Sequence, residues 1–270
     1  GGYSNTVLGS WTAICGGRDN IVTNTYSSVG GGVANVVSSY SSAVGGGRWN
    51  TVTAHFSTIS GGSGNSVHGA AAVVAGGSGN IAMRANTAIL GGTANFVSGF
   101  TASIAGGQLN TVTASYSSVS GGDSNLVSSY SSAVCGGRWN TVSAFFATIA
   151  GGSGNTVRGA GSVVAGGVSN TAVHNYSVVS GGSFNVVAAD SATVSGGERN
   201  SVTGNYAGVL GGRHNVVAAP YSCIGGGSWN FATGRHSEIG GGSSNQASGD
   251  FASIVGGLDN AASGTASTIA

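Results

Sequence analysis

Lysine is absent from the 270 residues and charge of either sign is scarce, with eight Arg against seven acids and a formal net charge of +1. No basic stripe exists to neutralise phosphates, so nucleic acid is not an expected partner. Long apolar runs are also missing. The longest span a few residues, far short of the roughly 20 that a membrane helix needs, and no membrane insertion is expected. The chain opens at Gly1, not Met, and a processed product or an excerpt is expected. Groups of Cys, His, Asp or Glu at metal-ligand spacing are lacking too, and no Gly-rich loop precedes a helix or a Lys. No metal, cofactor or phosphate site is therefore expected.

What is abundant is glycine, 53 residues of it, accompanied by Ser, Ala, Asn, Thr and Val, a composition that alone would suggest a disordered linker. Yet 40% of the residues are apolar and they hold fixed places. Cutting the chain at every fifteenth residue from Gly1 gives eighteen units with no remainder, each opening Gly-Gly and each carrying Asn at its fifth position. Gly46 to Ser60 is one of them. Repeat chains grow in one dimension without a central core, so a single domain over residues 1–270 is expected despite the length.

Numbered one to fifteen, the unit reads Gly-Gly-x-x-Asn-x-Val-x-x-x-x-small-x-Ile/Val-x. Position seven is Val in thirteen units and Ala in five, position fourteen is always Val or Ile, and position twelve is Ser, Ala or Thr. The alternation of five with seven and of twelve with fourteen has period two, the mark of two short strands with one face buried. Strands over about positions four to eight and eleven to fifteen are expected, with Gly-Gly at one corner and position nine, often Gly as in Gly69 and Gly159, at the other. The fold class is all-β, a parallel β-solenoid of eighteen coils and roughly 85 Å, at about 4.8 Å per coil. Val and Ile form apolar columns inside it. The Asn column is expected to bond from coil to coil, because a buried amide is costly unless paired.

Charges fifteen apart test the register: Glu198 with Arg213, Asp123 with Arg138 and Arg235 with Asp250. A slower period of ninety lies above the first, with Trp49, Trp139 and Trp229 all at position four, and divides the chain into blocks 1–90, 91–180 and 181–270. Cys15 and Cys135 are eight coils apart, roughly 38 Å, whereas a disulfide needs Cα atoms within about 7 Å. Bridges within the chain are excluded, and Cys15, Cys135 and Cys223 are expected as small, buried or half-buried residues rather than interchain links.

With one glycine of the pair removed, the unit becomes Gly-x-x-Asn-x-Val/Ala-x-Gly-x-x-Ser-x-Val/Ile-x-Gly. Written out at Gly242-Ser243-Ser244-Asn245-Gln246-Ala247-Ser248-Gly249-Asp250-Phe251-Ala252-Ser253-Ile254-Val255-Gly256, it resembles the YadA-like head repeats of trimeric autotransporter adhesins. The resemblance implies a left-handed parallel β-roll, three chains side by side, and binding to matrix proteins or other cell-surface partners. One corner here carries an additional glycine, and that family's neck, stalk and membrane anchor are not among these residues.

The five histidines occupy five different repeat positions, and His236 near Asp250 lacks a placed nucleophile, so no catalytic residue is assigned. Asn175-Tyr176-Ser177 is a lone glycosylation sequon. Thirteen of the twenty aromatic residues sit at position ten or eleven and should form an edge along one corner. Tyr26, Tyr40, Phe56, Tyr116, Tyr130, Tyr206 and Tyr221 on that edge, with Trp49, Trp139 and Trp229, make the candidate partner-contact surface. The reading is a non-enzymatic solenoid, extracellular or at the cell surface. It is structural or adhesive, and assembles with copies of itself into a fibre by end-to-end and lateral packing, with surface proteins or glycans as further partners. A trimeric adhesin head is the alternative. An ice-binding solenoid needs a flat, regular Thr array, and Thr is scattered among positions six, eight, twelve and thirteen, which argues against it. A carbohydrate lyase would need clustered acids or basic residues.

Overall fold

The computed structural model describes all of residues 1–270 and contains no helix, hence none long and apolar enough to cross a membrane. Two compact units, Gly1–Gly137 and Arg138–Ala270, make up the chain. Each is a parallel β-solenoid of nine coils with two sheets, the first built from positions six and seven and the second from thirteen and fourteen. Within each unit a strand pairs with the one fifteen residues on: Thr51 and Val52 stand opposite Ser66 and Val67, and Thr58 and Ile59 opposite Val73 and Val74. A third parallel ladder runs through position three, as from Arg48 to Ser63.

The strands are two residues long, shorter than the expected five. Their length is limited by backbone handedness. Thirty-two non-glycine residues have φ between 51° and 61°, and all of them stand at position four or eleven. Such a conformation costs a residue with Cβ about 1–2 kcal/mol, so the stack must hold it. It does so through the turn amides. Trp49 N–H donates to Val33 O at 2.9 Å and Phe56 N–H to Tyr40 O at 3.1 Å, each reaching the coil before it. The coil therefore has two similar halves, seven and eight residues long. The longer half holds the second glycine of the pair.

That second glycine is the one the fold requires. Gly47 has φ +90°, and a Cβ on it would lie 2.1 Å from Gly62 O, whereas a Cβ on Gly46 would meet nothing within 4 Å. Glycine at position nine serves close approach and not positive φ: a Cβ on Gly69 would fall 1.8 Å from Arg84 O.

Inside, the Asn column bonds as expected. Asn50 N–H donates to Asn35 Oδ1 at 3.1 Å, and Asn50 Nδ2 lies within 3.1 Å of Asn35 Oδ1, Gly46 O and Gly62 O. Position twelve builds a parallel device from hydroxyls. Ser42 Oγ accepts from Ser57 N–H at 3.2 Å and donates to Ala54 O at 2.9 Å. Val52 and Ile59 are fully buried between these columns, each burial contributing about 1.5–3 kcal/mol.

Register is borne out by the backbone, while the ion pairs used to infer it form differently. Glu198 and Arg213 pair as neighbouring β-bridge residues, yet the Glu198 carboxylate is bound by adjacent Arg199. Asp250 Oδ1 accepts from Arg235 N–H at 2.9 Å rather than from its guanidinium. Asp123 and Arg138 belong to different units.

Candidate functional site

The surface of each unit is two strand faces and two corners, and chemistry is distributed between them by charge. Thirteen of the fifteen charged residues occupy corner positions three, four, nine and ten. The faces carry one each: Arg158 at position eight and Glu238 at position thirteen. Beyond these surfaces no concave pocket forms and no three His, Cys, Asp or Glu side chains gather.

Three of the four tryptophans do not join the aromatic edge. Trp49, Trp139 and Trp229 sit at position four, on the corner opposite positions ten and eleven, because seven residues carry the chain halfway round a coil. All three are exposed. The Arg48 guanidinium lies 5.1 Å from the Trp49 ring and Arg138 4.8 Å from Trp139, while His214 stacks on Trp229 at 4.1 Å.

The other corner does bring its aromatics together, in clusters. In the first unit Tyr40 meets Tyr26 at 5.5 Å and Phe56 at 5.7 Å edge to face, and Tyr116 meets Tyr130 at 5.3 Å. In the second, Tyr206, Tyr221, His236 and Phe251 form a parallel stack with centroids 5.1, 5.0 and 4.9 Å apart. His236 is thus a rung of this stack and not a partner of Asp250. Its position, eleven, is the signal that would have found it.

The first sheet's outer face unites two of the positions among which Thr is scattered. Positions six and eight flank buried position seven, so both project to the same side. Eleven of the twenty-one threonines stand there, with Thr51 beside Thr53 and Thr111 beside Thr113. Thr53 Oγ1 also bonds His68 Nδ1 of the next coil at 2.8 Å.

The second sheet's outer face holds all three cysteines. Cys15, Cys135 and Cys223 are exposed free thiols, contrary to the expectation of burial, since positions thirteen and fifteen flank the buried Val or Ile. Partial burial, and then the carboxylate of Glu238 on the next coil, raise the Cys223 thiol above its ordinary range.

Residues 171–270, less than half of the chain, match a family model described as the grass antifreeze beta roll. No curated protein matches the chain.

Proposed function

We propose that the chain is a non-enzymatic β-roll that adsorbs to ice through the outer face of its first sheet. The observation that carries this is the placement of threonines at positions six and eight, six in the first unit on a face without charge and five in the second on a face with one charged residue. Ice presents a rigid two-dimensional lattice of water oxygens, so its ligand must be flat, stiff and regularly spaced. A parallel solenoid offers rows about 4.8 Å apart along its axis and about 6.6 Å between positions six and eight. Threonine supplies a hydroxyl for lattice waters and a methyl that gains by leaving liquid water. The bonded Asn and Ser columns hold the array stiff. The similarity of residues 171–270 to an antifreeze β-roll family supports the same reading.

Phe96, Met83, His68 and Arg158 interrupt the array. Short matched patches such as Thr51 with Thr53 and Thr111 with Thr113 should therefore slow ice recrystallisation without much depression of the freezing point. The test is ice recrystallisation by the full chain against a variant carrying Thr51→Lys, Thr53→Lys, Thr111→Lys and Thr113→Lys. Loss in that variant with retention in Trp49→Ala is expected; an inactive parent chain overturns the proposal.

A second reading, an extracellular structural or adhesive element that contacts surface proteins, glycans or copies of itself, is favoured by the exposed aromatic corner of Tyr26, Tyr40 and Phe56. The adhesin-head form of it requires a fixed trimer, and the fibre form an open size distribution. Native mass measurement separates the two.

A further inference from the structure

We infer that the outer face of the second sheet in the first unit is a self-association surface, on which a second copy packs antiparallel and brings its Cys135 opposite Cys15. The inference is independent of ice binding, which uses the other sheet.

The composition of this face is what a close sheet-to-sheet contact needs. Across nine coils, positions thirteen and fifteen provide eighteen outward residues, of which fifteen are Ala, Ser, Gly or Cys and none is charged. Side chains this small lose little rotamer freedom on contact and let two backbones approach closely. The equivalent face of the second unit lacks that property, since burying Glu238 there would strand a carboxylate.

Area permits a specific pair. Nine coils at about 4.8 Å give a length near 43 Å, and about four residues across at roughly 3.3 Å give a width near 13 Å. Two such faces would bury roughly 1,100 Å², just above the ~1,000 Å² that a specific interface should clear.

The cysteines select the arrangement. Cys15 in the first coil and Cys135 in the ninth share position fifteen and lie equally far from Ala75 in the fifth. A twofold axis along the strand direction through that coil keeps position fifteen facing position fifteen and exchanges the first coil with the ninth. Both Cys15 to Cys135 contacts then form at once. The same operation seats the face's largest side chain, Leu90, over Ser60 beside Gly45. A twofold axis along the solenoid would instead set position thirteen against fifteen, and each cysteine against alanine.

The test uses the full chain with oxidised glutathione, a small disulfide. Two protein thiols and one small disulfide become one interchain disulfide and two small thiols, by successive thiolate attacks. Peptide mapping should find Cys15 joined to Cys135 as the dominant linkage. The covalent dimer should vanish in Cys15→Ser and in Cys135→Ser and persist in Cys223→Ser. Ala75→Glu, exposed and at the axis, places two carboxylates together and should weaken the reduced dimer at least tenfold in sedimentation while leaving the β circular dichroism unchanged. Linkages in random proportion among the three cysteines, or a reduced chain that stays monomeric at tens of micromolar, would overturn the inference.

Discussion

Two adjacent glycines should behave oppositely when each is given a methyl group. In Gly47→Ala the new Cβ meets Gly62 O at 2.1 Å, Asn50 Nδ2 at 2.8 Å and Gly62 N at 2.9 Å, from a backbone at φ +90°. Holding a residue with Cβ at positive φ costs about 1–2 kcal/mol. Relieving the overlap requires the next coil to retreat by about an ångström, and Gly62 O is the acceptor for both Arg48 N–H and Asn50 Nδ2, each at 3.0 Å. Losing those two bonds adds about 0.5–1.5 kcal/mol each, so the expected total is roughly 2–5 kcal/mol. Gly46→Ala meets nothing within 4 Å and has no positive φ to maintain, so it should be neutral or stabilising by up to about 1 kcal/mol through the unfolded chain. Because solenoid coils open locally, the measurement is amide hydrogen exchange rather than a global melt. The Arg48 amide should exchange more than tenfold faster in Gly47→Ala and unchanged in Gly46→Ala. Equal protection in the two variants would refute the assignment of the second glycine as the sterically required one.

Other consequences are as direct. Asn50→Ala leaves Gly46 O and the Asn65 N–H without a partner, each at about 1–3 kcal/mol when buried, and takes one of two donors from Gly62 O, so it should lower stability by several kcal/mol as read by exchange of the flanking coils. Cys223, raised by burial and then by Glu238, should react with iodoacetamide more slowly at pH 8 than Cys15 or Cys135. Glu238→Gln removes the second cause, lowers the thiol's pKa and should accelerate that reaction; an unchanged rate would leave burial as the whole effect. Tyr221→Ala removes a ring stacked on both sides and should cost no more than about 1–2 kcal/mol, because the stack is exposed.

The coil architecture was legible because it depends on residues with few substitutes. An interior amide stacked on itself admits Asn, and the narrow columns admit Val, Ile and small residues, so positions five, seven, twelve and fourteen announce themselves. The corners were less legible. Positions four and eleven require positive φ, yet Trp49, Phe56 and Tyr206 supply it, since the stack and not the side chain imposes the conformation. A reader looking for glycine there finds aromatics. The same left-handed pivots place Trp49, Trp139 and Trp229 half a coil away from the tyrosines, a separation of positions four and eleven that the sequence alone hides. The threonine face and the outward cysteines were recoverable from strand parity alone, since residues on either side of a buried position share one face. Sorting by position instead of by face concealed both.

Function has to be read from positions on which the fold places no demand. The Asn and hydroxyl columns satisfy the turns and the Val and Ile columns fill the interior, so four corner positions and the four face positions six, eight, thirteen and fifteen are equally free to be charged. They are not equally charged, since the corners hold thirteen such residues and the faces two. An exposed strand face tolerates Lys or Glu at little cost in stability, and a charged face would protect the solenoid from sticking to other sheets. Their near absence therefore points to contact with something outside the chain. It follows that Thr111→Lys and Ala75→Glu should each leave exchange protection of the coils within about 0.5 kcal/mol of the parent, the usual range for surface changes, while each impairs a different contact. If either substitution unfolds its coil, face composition serves the fold, and the inference from charge to contact fails with it.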